Sequence, residues 1–396
     1  MIAAGRSVPK VALSPTRRTG EGGPIRVAFC LDTFHIGGTE LNAVRTALRL
    51  DKSRFSVSFF HGQAGPLMEE VSAAGIPCYS FPLEGLLSTS ALVQGIRMAK
   101  AFRRIGIEIV HAHDVYSNIF AGMIGRLAGV RRVIVSRRWG VSQYGPGLSR
   151  LNRTAYRFAD QVLVNSQQIA ASVSSDEGVA PSRVTVVNNF ADREAFLRVS
   201  DDVKAELRRQ LGVPVDAMLI GMVASLKPVK NPEMLVSAFA QVAERDPSVH
   251  LVFIGDGVSR GDLERTVAER GMIDRVTITG TLPNAGRLHS CLDISVLCSR
   301  SEGFPNSVVE AMAAAVPVIA TRVGAIPDAV SHMTTGLLVP SESPTELEEA
   351  LRRLIGDPSL RTRLGRAGYE IALDRFHEDT VIASLESLYE RLVESR

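Results

Sequence analysis

Cysteine is scarce, and its spacing excludes several chemistries. The four cysteines, Cys30, Cys78, Cys291 and Cys298, never stand as Cys-x-x-Cys, so neither a zinc ribbon nor a thiol-redox pair is expected. Three of them lie in or beside apolar runs and read as small core residues in a reducing compartment. No apolar run approaches the ~20 residues needed to cross a bilayer. Residues 1–24 carry scattered basic residues, prolines and glycines but no apolar stretch of the kind a secretory signal needs; they read as a disordered N-terminal extension. Internal repeats and low-complexity segments are absent too.

Net charge is small, +3, but unevenly spread. Residues 26–190 hold 18 Lys and Arg against 11 Asp and Glu, whereas residues 191–396 hold 23 against 30. A basic first half suits an anionic acceptor or membrane surface; two halves that complement each other across a cleft explain the same numbers. No nucleic-acid partner is expected. At 396 residues the chain exceeds the ~250–300 residues that one core usually serves, so two domains are expected.

The most informative stretch is Leu292–Thr321. Residues 292–299 are apolar and β-prone, 300–306 form a polar turn with Gly303 and Pro305, 307–315 read as an Ala-rich helix, and 317–321 as a second strand. In a parallel α/β sheet, ligands sit beyond the carboxyl ends of the strands, and the helix that follows aims free N–H groups into that crevice. Glu302 and Glu310 frame the turn with seven residues between them. A carboxylate accepts two hydrogen bonds, which suits vicinal hydroxyls, and the helix start suits phosphate. Ser307 and Glu310 also fit a capping box, in which Glu310 only satisfies the helix start.

This segment resembles the Glu-x7-Glu signature of retaining glycosyltransferases of family 4, and the resemblance extends over nearly the whole chain from about Ile25. It implies the GT-B fold: two Rossmann-like α/β domains facing a central cleft. The acceptor domain is expected over residues 25–195, completed by a C-terminal helix at 376–396, and the nucleotide-sugar donor domain over 196–375. The implied reaction moves a hexosyl unit from a nucleotide-diphosphate sugar to a hydroxyl acceptor with retention, in glycan, polysaccharide or glycolipid assembly. UDP- or GDP-sugar is the expected co-substrate, with no cofactor and no metal. A nucleotide-sugar epimerase and a non-catalytic sugar-nucleotide-binding protein are the alternatives.

The resemblance also implies residue roles. A Gly-Gly loop, Gly37-Gly38 followed by Thr39-Glu40, lies between the first strand and its helix, where bare backbone suits a diphosphate. His111 and His113 share a strand face, and His113 is the candidate that orients the sugar or handles the acceptor proton; zinc is not expected, since no third ligand is evident. Lys230 matches the family's donor-site lysine. Ser225 stands where an arginine is usual, and Lys227 is the expected replacement charge. Glu302 with the Gly303-Phe304 backbone is assigned to the hexose, Glu310 to the ribose, and the helix start at Asn306, Ser307 and Val308 to the diphosphate. The segment Ser136-Arg-Arg-Trp-Gly departs from the family pattern, and Arg137, Arg138 and Trp139 are expected on the acceptor side. Arg97, Lys100, Arg103 and Arg104 recur on one predicted helix, Thr89–Ile105, which suits either a solvated face or a membrane surface. The expected location is cytoplasmic, with peripheral attachment to the inner membrane face as an extension of that reading. The expected acceptor is a sugar or a lipid-linked or other hydroxyl compound.

Overall fold

The computed structural model describes residues 23–138 and 145–395, so Trp139 and most of the N-terminal extension lie outside the described residues. Among the described residues, short apolar runs separated by Gly-, Pro- and Asn-containing turns become thirteen strands. They are β1 (Ile25–Thr33), β2 (Phe55–Gln63), β3 (Cys78–Ser80), β4 (Ile109–Ala112), β5 (Arg132–Arg137), β6 (Gln161–Val164), β7 (Val184–Val186), β8 (Met218–Val223), β9 (Val249–Ile254), β10 (Val276–Ile278), β11 (Ile294–Leu297), β12 (Val318–Thr321) and β13 (Leu337–Val339).

Two sheets result, of seven strands in the order β3-β2-β1-β4-β5-β6-β7 and of six in the order β10-β9-β8-β11-β12-β13. The described pairings are parallel, with Val27 opposite Val57 and Ile109 in the first sheet and Ile220 opposite Leu251 and Ile294 in the second. Parallel strands need helices on both faces, which is why their residues are apolar without alternation. Each sheet reverses its winding once, between β1 and β4 and between β8 and β11. Such switch points leave a crevice at the carboxyl ends of the flanking strands.

The chain divides into two compact units. One comprises the chain up to Val135 with Leu151–Asp160 and the residues from Leu392 on; the other comprises Ser136–Arg150 and Gln161–Arg391. The first is cored by Phe29, Phe34, Phe59, Phe60 and Phe102, all fully buried, with Phe29 and Phe59 edge-to-face at 5.7 Å. In the second, Leu235, Phe239, Leu251, Phe253, Ile294 and Ile319 belong to one continuous core.

The C-terminal stretch forms three helices, Pro344–Gly356, Pro358–Arg375 and Glu378–Glu394, the last within the expected 376–396. The first break falls at Asp357-Pro358, where proline cannot continue a helix and the Asp357 side chain accepts from the Leu360 amide at 2.9 Å. The Ala-rich helix runs over Asn306–Ala313, and Ala315 beyond it takes a left-handed φ of 56°.

Candidate active site

The switch point between β8 and β11 positions the central pair. After β8 the chain makes a short turn, Pro228–Lys230, before the helix Pro232–Ala243. That turn is tied to the end of β11: the Arg300 amide donates to the Val229 carbonyl at 2.7 Å, and the Cys298 thiol to the Asn231 carbonyl at 3.1 Å. Two residues 72 apart in sequence thereby meet. The Lys230 Nζ stands 2.5 Å from Glu302 Oε2, and the same oxygen accepts from the Ser299 hydroxyl at 3.1 Å. Both partners keep a solvent-facing edge, with side-chain exposures of 19% and 12%.

The loop after β12 closes over Glu302 from behind. Gly324 takes a φ of 53°, and a Cβ added there would fall onto the Glu302 carbonyl oxygen; that same carbonyl accepts from the Ala325 amide at 3.3 Å. Gly255, at the end of β9, serves similarly: a Cβ on it would strike the Ala224 carbonyl oxygen. The Gly255-Asp256-Gly257 stretch thus lets the 224–226 loop pack directly against it, backbone to backbone.

The helix Asn306–Ala313 starts behind Pro305, and no side chain caps it. Ser307 is its second residue and Glu310 its fifth, so the capping box does not form. The Glu310 carboxylate turns instead toward the segment Ala285–Cys291: a Cβ on Gly286 would lie 3.1 Å from its carboxyl carbon. His289 lies 4.0 Å from Glu310 Oε2, but burial pulls its pKa down to about 3, so the ring is neutral. Its nitrogens stand 3.3 Å from the Ser295 hydroxyl and 3.4 Å from the Ser307 hydroxyl. The amides of Ser307 and Val308 lead the helix before its i→i−4 ladder begins, the usual donors to an anion. Val308 and Phe304 are buried as side chains, and Phe304 packs edge-on to Phe376 at 5.8 Å; only their backbones are available to a ligand.

The second unit also holds both arginines of the Ser136-Arg-Arg segment. Arg137 is buried and pairs with Glu177 at 3.2 Å. Arg138 donates to Asn189 Oδ1 at 2.9 Å, and Asn189 Nδ2 donates to Asn306 Oδ1 at 2.9 Å. Arg138 therefore feeds a hydrogen-bond chain that ends on the first residue of the helix. Lys227 and Ser225 are exposed on the turn after β8.

In the first unit, the switch point between β1 and β4 carries the other predicted residues. Gly37 precedes the helix Gly38–Arg49 in extended conformation, and the Glu40 carboxylate folds back against it. Burial raises the Glu40 pKa, opposed by the hydrogen bond from its own amide and by nearby His35. His113 is fully buried, with its ring stacked 4.0 Å from His111 and tilted against Phe29 at 4.7 Å. Sequence reasoning passed over Asp32. Its carboxylate accepts from the amides of Tyr116 at 3.1 Å and Ser117 at 2.6 Å, at the start of the helix Val115–Leu127. Its place at the end of the first strand, beside the Gly-Gly loop, was the available signal. Among the described residues, no three His, Cys, Asp or Glu side chains are grouped as a metal site requires.

Comparison with known proteins agrees with this architecture. Residues 36–195 match the Glycosyltransferase Family 4 model, and residues 203–371 match Glycosyl transferases group 1. Together these matches take in most of the chain, which belongs to the GT-B glycosyltransferases of this family and is an enzyme of that class. It is 27% identical over 382 residues to a D-inositol 3-phosphate glycosyltransferase of Corynebacterium glutamicum, covering 89% of this chain and 91% of that protein. An N-acetyl-alpha-D-glucosaminyl L-malate synthase of Bacillus anthracis is 26% identical over 299 residues, covering 74% of this chain and 77% of that one. The crystal structure of Anabaena Alr3699/HepE in complex with UDP superposes with a TM-score of 0.84 at 20% identity, covering 93% of this chain and 100% of that one. At that identity the likeness speaks for the fold.

Proposed function

We propose that this glycosyltransferase moves a hexosyl unit from a nucleotide-diphosphate sugar, with UDP as the carrier, to a hydroxyl acceptor with retention at the anomeric carbon. The observation that carries the reading is the Lys230–Glu302 pair at the β8/β11 switch point, 2.5 Å apart and open to solvent on one side. As the bond from C1 to the diphosphate breaks, negative charge grows on the leaving oxygen. Lys230, exposed Lys227 and the amides of Ser307 and Val308 form a positive set for that charge, in the manner of a preorganised oxyanion site. Glu302 accepts hexose hydroxyls, and its charge also favours an oxocarbenium-like transition state. Glu310, turned toward Gly286, accepts the ribose hydroxyls. In this reading cationic side chains and helix amides supply the charge stabilisation, and neither metal nor cofactor takes part. The crystal complex of Alr3699/HepE with UDP supports the choice of base.

Thermal melts of the full chain in EDTA, with UDP, GDP and their glucose and mannose conjugates, test this. A ligand that binds only the folded form raises the melting point, by about 2.7 kcal/mol of stabilisation at one hundred times Kd. UDP and one UDP-sugar are expected to raise it, and Lys230→Ala to abolish the rise. No shift with any nucleotide sinks the donor assignment.

Peripheral attachment to an anionic membrane belongs to the same reading. The helix Thr89–Ile105 and the loop before it expose Leu87, Leu92, Val93 and Ile96 at 96%, 69%, 55% and 51%, next to exposed Arg97 and Lys100. Apolar residues flanked by cations are what an interfacial helix presents. Among the described residues, no helix is long and apolar enough to cross a membrane. Co-sedimentation with phosphatidylglycerol vesicles is expected, reduced about tenfold or more in Leu92→Glu/Ile96→Glu and only weakened by 0.5 M salt, since about 1 kcal/mol per cation is screened while apolar burial is not. Equal sedimentation of the double variant and the wild type would remove this surface from consideration.

A further inference from the structure

Beyond the donor residues, the first unit holds a cavity of about 470 Å³ at the carboxyl ends of β1, β2 and β3, within the range of small-molecule sites. Its apolar walls are made by Phe60, Phe81, Leu83, Leu86, Met98 and Phe120, and Gln63, Tyr116 and Ser117 add polar groups. The carboxylates that line it belong to Asp32 and Glu84, and among the described residues no lysine or arginine does. One helix start reaches it, at Tyr116 and Ser117, and the amides of both residues are already taken by Asp32. The element that would otherwise bind a phosphate is thus filled by a carboxylate. Burial, with a smaller push from Glu40, moves Asp32 up to about 6 against the pull of those amides, so further negative charge is unwelcome there. His61, the cavity's imidazole, is lowered by burial and adds no positive charge near neutrality.

We propose that this cavity seats the acceptor and selects an uncharged hydroxyl compound with an apolar body, with Asp32 accepting a hydrogen bond from the hydroxyl and Leu83, Leu86 and Phe120 covering the apolar face. The proposal rests on the transferase reading above and adds the acceptor's class to it. A phosphate monoester carries about −1.5 to −2 charge near neutrality; here it would face two carboxylates, with no lysine or arginine among the described lining residues and Arg97 held outside, over the Phe81 ring, a juxtaposition that suppresses wrong partners. This chain would therefore part from the relatives named for inositol 3-phosphate. The two arginines expected on the acceptor side are engaged elsewhere, Arg137 with Glu177 and Arg138 with Asn189.

Calorimetry on the full chain with UDP present tests the selection, using phenyl β-glucoside and its 6-phosphate as probes. Phenyl glucoside is expected to bind about tenfold tighter or more. Leu83→Lys, at the partly exposed rim, is expected to narrow that ratio at least tenfold by giving the phosphate a cation. Equal or tighter binding of the phosphorylated probe, binding of neither, or a ratio unmoved by Leu83→Lys each overturns the proposal. The UDP titration in the same experiment separates the two levels. UDP binding with the wrong probe preference overturns the acceptor class alone; absence of UDP binding removes the transferase reading and this proposal with it.

Discussion

Lys230→Ala and Glu302→Ala are each expected to lower kcat/KM by about 10²–10³-fold, the loss seen when one preorganised charge-stabilising group is removed, and the double variant is expected to lose little more. The reason lies in the pair's geometry. Lys230 Nζ and Glu302 Oε2 are 2.5 Å apart, so each fixes the other's position, and either deletion leaves the survivor misplaced and without its ion-pair partner. Groups that act as a unit are strongly non-additive. Stability should change less than activity. Breaking a buried ion pair costs about 3–5 kcal/mol, but this one keeps exposures of 19% and 12% and retains the Ser299 hydroxyl as a second partner for Glu302, so about 1–2 kcal/mol is expected after solvent screening. Single-turnover rates at saturating donor, alongside thermal melts, separate the two effects. A double variant whose loss equals the product of the single losses would show that the pair does not act together. Either single variant retaining wild-type turnover would remove that residue from the reaction.

Much of this pair is legible in the sequence, because its determinants are local. Glu302 sits in a strand–turn–helix stretch whose apolar runs and Gly-Phe-Pro turn stand out, and Lys230 precedes a proline-initiated helix. That they meet follows from parallel winding, which brings the ends of β8 and β11 together. Other features are hidden by the same kind of local signal. Ser307 and Glu310 have capping-box spacing, but the helix begins two residues earlier than that cap requires, behind Pro305, and their side chains go to other partners. Arg137 and Arg138 look like cleft charges in sequence, yet one is buried on Glu177 and the other ends a side-chain chain through Asn189 to Asn306. Such partners lie 40 to 117 residues away, beyond any periodicity argument. The helix Val115–Leu127 buries Val115, Ile119, Phe120, Ala121 and Gly125 and exposes only scattered apolar residues. A helix apolar over most of its circumference carries little amphipathic signal, so the seat of Asp32 on its N-terminus cannot be read from pattern.

Gly324→Ala is expected to lower both stability and turnover. Two costs combine at this position. A non-glycine residue at a φ of 53° pays about 1 kcal/mol or more for left-handed backbone. The added Cβ would also land on the Glu302 carbonyl oxygen, which is backbone and cannot swing aside as a side chain would. The loop must therefore move, and its natural escape lengthens the Ala325 amide to Glu302 carbonyl bond, 3.3 Å at rest. Together the costs come to about 2–4 kcal/mol, a fall of roughly 5–10 °C in Tm for a unit of this size. Because Glu302 rides on the displaced segment, the Lys230 contact is lost with it. A misplacement of about 1 Å near a reacting centre costs about 10²-fold in rate, so turnover should fall further than the melting shift alone explains. Gly356→Ala is the control. It ends the helix Pro344–Gly356 with open space where its Cβ would go, and should be neutral or stabilising by a few tenths of a kcal/mol. If Gly324→Ala melts within about 1 °C of the wild type and keeps its turnover, the loop after β12 does not hold Glu302 in place, and the carboxylate's position must then be set by Lys230 and Ser299 alone.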